Sequence, residues 1–127
     1  MPYMLMIVEQ PEKRRNRPPE EGRVAYERME RFSDELRARG ILRASDALRS
    51  DSEAVRVEIR NGGKSVIDGP FTECKEIIGG FFLIDCATKA EAVAIAGECP
   101  AAEWSTVEVR EVGRCWEEAP GKRGDGP

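Results

Sequence analysis

Residues Ile77 to Cys86 read IIGGFFLIDC, and a second run, Tyr3 to Glu9, reads YMLMIVE. Strand side chains alternate between the two faces of a sheet, so a strand with one wet face alternates apolar with polar. Neither run does. In the N-terminal one, Met4, Met6 and Val8 alternate with Tyr3, Leu5 and Ile7, and both sets are apolar. That pattern marks strands buried on both faces, the central strands of one sheet. The Gly79–Gly80 pair weakens its own strand, which calls for a bulge or a close approach of backbone or ligand. No phosphate-binding glycine pattern surrounds it, and a strand follows it rather than a helix.

The remaining elements are arranged around these two strands. Gln10 to Pro19, QPEKRRNRPP, reads as a polar loop, and its basic cluster Lys13, Arg14, Arg15 and Arg17 first as solvated, second as an attractor of an acidic partner or substrate to the mouth of the fold. A helix is expected from Pro19, with Ala25, Met29, Phe32 and Leu36 at helical spacing and Gly40 as its stop. Ile41 to Leu48 is a weakly patterned strand. Ala54 to Arg60 alternates cleanly, with Val55, Val57 and Ile59 expected inward, and Asn61-Gly62-Gly63 turns it back through Lys64 to Asp68 as a hairpin. Thr88, with Glu91 three residues on, opens an Ala-rich helix that Pro100 ends. Trp104 to Val112 is the last strand, and the Gly- and Pro-rich tail from Gly113 is expected to be loosely held.

The order β-α-β, hairpin, β-α-β gives an α+β fold, a ferredoxin-like split βαβ with an inserted hairpin, in one domain over residues 1–112. Two helices cover one sheet face only. The second apolar face needs a cover, and another copy of the chain is the simplest one, so a homodimer packed sheet to sheet is expected.

At 127 residues with 40% hydrophobic and 35% charged residues, the chain has the composition of a folded soluble domain. A net charge of −4 gives no footprint for nucleic acid. No apolar run approaches the ~20 residues that span a bilayer. The N-terminus MPYMLMIVEQ lacks the basic region and cleavage site of a secretory signal, so a cytoplasmic location is expected. The four cysteines form no Cys-x-x-Cys pair, and reduced thiols are the default. There is no histidine, which removes imidazole acid–base catalysis, Ser-His-Asp machinery and His-ligated metal sites. No cofactor signature is present and no metal site is expected.

Asp68-Gly69-Pro70 admits two readings. The plain one is a turn in which the carboxylate bonds nearby N–H groups. The functional one sets Asp68 at the mouth of a space between sheet and hairpin, with an acid beside it to raise a carboxyl pKa and make a proton acceptor. Glu73, Lys75 and Glu76 follow, either as a solvated connector or as parts of that site. Tyr3, Tyr26, Phe81, Phe82, Phe32 and Trp104 read first as core or interface residues, second as the lining of a pocket for a small planar ligand.

Together YMLMIVE, DGPFTECKEIIGGFFLIDC (Asp68–Cys86), ATKAEAVAIAGECPAA (Ala87–Ala102) and STVEVREV (Ser105–Val112) resemble the YCII-related proteins, in the branch marked by an Asp-Gly-Pro-Phe motif. The resemblance implies a ferredoxin-like fold assembled as a dimeric α+β barrel. Its wider superfamily contains dehydrochlorinases, lactone isomerases and cofactor-independent monooxygenases, and branch members are often associated with extracytoplasmic-function sigma factors. Asp68 matches the motif aspartate, and Gly69, Pro70, Phe71, Glu73, Lys75, Glu76, Gly79 and Gly80 match the rest. Cys74 stands where Thr is frequent, and Trp104 stands at about the place where branch members often carry His.

The resulting expectation is a small-molecule enzyme or ligand-binding protein working by proton transfer or elimination. Asp68 and Glu76 would be its catalytic carboxylates, with Lys75, Tyr3, Gly79, Gly80 and Trp104 around the ligand. The alternatives are a regulatory module for such a sigma factor, and a dimer whose site has degenerated.

Overall fold

The computed structural model describes residues 1–71 and 74–117. Glu73 and the tail beyond residue 117 lie outside the described residues. In chain order the elements are β1 (Pro2–Glu9), α1 (Pro11–Asn16), α2 (Pro19–Ala38), β2 (Leu42–Ala47), β3 (Val55–Arg60), β4 (Gly63–Asp68), β5 (Ile77–Asp85), α3 (Lys89–Glu98) and β6 (Thr106–Glu111). Short 3₁₀ turns occupy Asp51–Glu53 and Pro100–Glu103.

Four strands form one antiparallel sheet in the order β2-β5-β1-β6, with β1 and β5 at its centre. β1 and β2 are therefore parallel with β5 between them, and β5 and β6 are parallel with β1 between them. This α+β topology is compatible with the ferredoxin-like arrangement expected. Tyr3, Leu5, Ile7, Phe82 and Ile84 point to one face, where α2 contributes Phe32 and Leu36 and α3 contributes Ala92, Ile95 and Ala96. The Phe32 ring meets Phe82 edge-on, with centroids 5.1 Å apart. Small residues on α3 let that helix lie close to the sheet, as the Ala-rich sequence suggested.

The helix ends follow local chemistry. α2 stops at Gly40, whose φ of 74° suits glycine, and the Gly40 N–H donates to the Arg37 carbonyl at 2.9 Å. Thr88 caps α3 by accepting from the Glu91 N–H at 3.1 Å. Glu91 reaches back to the Ala87 N–H at 2.9 Å, one residue before the Thr88 expected of a strict capping box.

Two expectations are corrected. The stretch read as a loop contains helix α1, opened by Pro11 with Glu12 in its first turn, and its arginines are engaged rather than merely solvated. The hairpin β3–β4 forms with Asn61 and Gly62 at positive φ, but it is a separate two-stranded sheet. Val55, Val57 and Ile59, expected inward, are exposed, Ile59 at 73%. Among the described residues no layer covers the ribbon on that side, so the alternation marks a face without a core behind it. No described helix is long and apolar enough to cross a membrane.

Candidate functional site

β1 ends in the residue around which a site can be built. Glu9 continues the inward series Tyr3, Leu5, Ile7, so its side chain enters the protein rather than solvent, and the residue is 9% exposed. A carboxylate there needs a partner. α1 supplies it in the next turn of chain, where Arg14 Nη1 donates to Glu9 Oε2 at 3.1 Å. Arg14 Nη2 donates to the Leu48 carbonyl, joining α1 to the end of β2. One residue on, Arg15 donates twice to Asp51, at 2.9 and 2.7 Å, and fastens α1 to the turn before the hairpin.

Space for the Glu9–Arg14 pair comes from β5. The register of β1 and β5 shifts at Ile7/Val8, with Ile7 opposite Gly80 and Val8 opposite Ile78, so Gly79 is the extra residue of a bulge. A Cβ on Gly79 would stand 2.5 Å from Glu9 Oε2 and 3.0 Å from Arg14 Nη1. A Cβ on Gly80 would stand 2.9 Å from the Asp46 carbonyl of β2. Bulge and close approach, the two options read from the Gly-Gly pair, both occur.

Above this pair lies a half-open cavity of about 540 Å³ between the sheet and α2. Its floor is Ile7, Glu9, Ser45, Gly80 and Phe82, its roof Gly22, Ala25, Tyr26, Met29 and Ser33 of α2, and one wall is Trp104. Ser33 Oγ and Ser45 Oγ bond across it at 2.8 Å. Ligand pockets commonly have this size and this mixture of apolar lining and few polar groups. Glu9 Oε1 has no hydrogen-bond partner among the described residues, and no buried side-chain polar atom there is left unpartnered, so Oε1 is open to the cavity. A second cavity of about 300 Å³ shares Glu9, Arg14, Arg17 and Trp104 with the first.

Of the residues expected at a site, Gly79, Gly80 and Trp104 line the larger cavity, and Glu76 and Trp104 line the smaller. Tyr3 is buried in the helix-covered core, where desolvation first and the nearby Glu111 charge second push its phenol up. Asp68 and Lys75 are exposed and line neither cavity. Asp68 ends β4 opposite Val55, and the Gly69 N–H donates to the Ala54 carbonyl at 2.7 Å. Instead of an opening between sheet and hairpin, the space lies between sheet and α2. Among the described residues no cluster of His, Cys, Asp and Glu could hold a metal ion.

Sequence reading missed Glu9, and placed Arg14 and Arg17 only in a basic loop, without a role at the site. The signal for Glu9 was its phase, two residues beyond Ile7 on a face already read as buried. Arg14 carried no comparable signal, because six residues of helix are too short for a period to show, and Arg17 follows that helix in extended backbone.

The molecule is thus a small α+β domain with a one-sided antiparallel sheet and a solvent-accessible cavity under its longest helix. The profile of the YCII-related domain matches residues 1–115, and the chain belongs to that family. An uncharacterised protein of Rhizobium meliloti (strain 1021) is 49% identical over 45 residues, a stretch that covers 35% of this chain and 36% of that one.

Proposed function

We propose that the protein binds a small organic molecule in the cavity between the sheet and α2, with Glu9 as the acid that faces it. The supporting observation is the 540 Å³ cavity with a largely buried carboxylate in its floor and one oxygen of that carboxylate uncommitted. With no imidazole in the chain, proton transfer or elimination at Glu9 is the chemistry the site offers, and turnover of a substrate would fall on Glu9→Gln. Asp68 joins the same chemistry only where assembly brings the hairpin of a second copy to the cavity mouth.

Trp104 makes the proposal measurable, since the other tryptophan, Trp116, is exposed and removable. In a Trp116→Phe background, the neutral probe N-phenylnaphthylamine is expected to quench Trp104, and Ala25→Phe, which fills the cavity roof, to abolish the effect. Binding that leaves Trp104 unchanged, or that survives Ala25→Phe, counts against the cavity as the site.

The same reading includes assembly as a homodimer through the uncovered sheet face, completing the α+β barrel. A second reading, an interaction module for a sigma factor, is favoured by the apolar hairpin surface of Val55, Val57, Ile59 and Val66, which share one face of the ribbon. The two differ in whether that surface is consumed by the dimer.

A further inference from the structure

The charges that line the two cavities are unequally paired and unequally buried. Glu9 is held by Arg14 at 3.1 Å, Asp34 by Arg37 at 2.9 Å, and Glu103 by Arg28. Arg17 lines both cavities, is half-buried, and has no carboxylate within ion-pair distance among the described residues. Its guanidinium carbon lies 5.9 Å from the centre of the Trp104 ring. Lys13, exposed on the smaller cavity, is a second cation without such a partner, and the anions left over, Glu30, Asp46 and Glu76, are all exposed, so Arg17 is the one unpaired charge of the lining that is withdrawn from solvent among the described residues.

A cation against an indole, next to an apolar chamber, has one complementary ligand. Resting on the cavity assignment above, we propose that the site takes a small organic anion. Its carboxylate or sulfonate sits on Arg17 where the cavities meet, and its planar body lies between Trp104 and the Ile7, Met29 and Phe82 wall. Arg17 is a binding residue in this arrangement, and Glu9, neutralised by Arg14, does not repel the ligand. Charge-assisted hydrogen bonds in a partly desolvated site are stronger than neutral ones, which sets the scale of the preference.

The test compares two probes with the same ring system, anilinonaphthalene sulfonate and neutral N-phenylnaphthylamine, by Trp104 quenching in Trp116→Phe protein. The anion is expected to bind about tenfold more tightly. Arg17→Gln should bring the two affinities together, Arg17→Lys should restore much of the difference, and added salt should reduce it. Arg39→Gln, at a cation of the far end of α2 that lines neither cavity and pairs with Glu98, should leave the ratio unchanged. Equal affinities in the unmodified site, or a ratio indifferent to Arg17→Gln, overturn the anion assignment while the cavity stands. Failure of both probes to report on Trp104 takes the cavity with it.

Discussion

A Cβ on Gly79 would stand 2.5 Å from Glu9 Oε2 and 2.7 Å from its Cδ, both atoms of a side chain. A Cβ on Gly69 would fall well inside contact distance of the Asp51 carbonyl oxygen, an atom of the backbone. The two positions therefore differ in what must yield. Gly69→Ala has to displace a turn that Arg15 fastens through Asp51, and overpacking of that kind costs ~1–3 kcal/mol. Gly79→Ala can push the Glu9 carboxylate aside, at the expense of its bond to Arg14 and of the polar end of the cavity. The expected outcome by chemical denaturation is a larger loss of stability for Gly69→Ala. The expected outcome by probe titration is a larger loss of binding for Gly79→Ala. The reverse order would mean that the Asp-Gly-Pro turn, not the bulge, shapes the site.

At the level of elements, α2 is tied down at its middle by Arg28, which donates to both Glu103 oxygens in the 3₁₀ turn after α3, at 3.1 and 2.5 Å. The Arg28 hydrogen bond holds the Glu103 carboxyl below the usual carboxylate range. A group whose pKa is lowered on folding stabilises the protein above its unfolded pKa, about 4.3 for Glu, and ceases to as pH falls through the folded value. Arg28→Gln is therefore expected to shallow the loss of stability on the acid limb below about pH 4 and to leave the pH dependence near neutrality unchanged, by denaturant titration across pH. The pair is exposed, so the effect is small and weakens with salt. Elements of this kind were unequally legible beforehand. β1 and β5 declared themselves because both of their faces are apolar, and α2 because Met29, Phe32 and Leu36 keep a helical period. α1 did not, since six residues with three cations look the same in a loop as in a helix. The hairpin's alternation was visible while its destination was not, because Val57 and Ile59 would alternate identically against a core or against another chain. Asp68 attracted a functional reading because turns and catalytic sites use the same residue types. Glu9 looked like the polar end of a strand, and only the placement of α1 and α2 over it turns that carboxylate into the floor of a cavity.

For the whole molecule the outstanding surface is the sheet face away from the helices. By register, Met4 pairs with Leu83 and Met6 with Phe81, so an apolar stripe runs along the two central strands. Edge strands frame it with Asp46 beside Phe81, and with Glu108 and Arg110 beside Met6 and Met4. An apolar centre inside a charged rim is how a self-complementary interface is built, and a two-fold axis through the stripe would set each half against itself. We expect the protein to run in solution at twice its 14.2 kDa mass by light scattering, and Phe81→Asp to shift it to one chain with its circular dichroism preserved. A wild-type monomer would remove the barrel from the proposal. Ile59→Lys on the hairpin then separates the two uses of that surface. If the hairpin clasps the partner subunit, this variant also dissociates, and the regulatory reading loses its free patch. If the dimer survives it, the hairpin is still uncovered, and an apolar ribbon that two packed sheets leave in water is the place where a partner protein would bind.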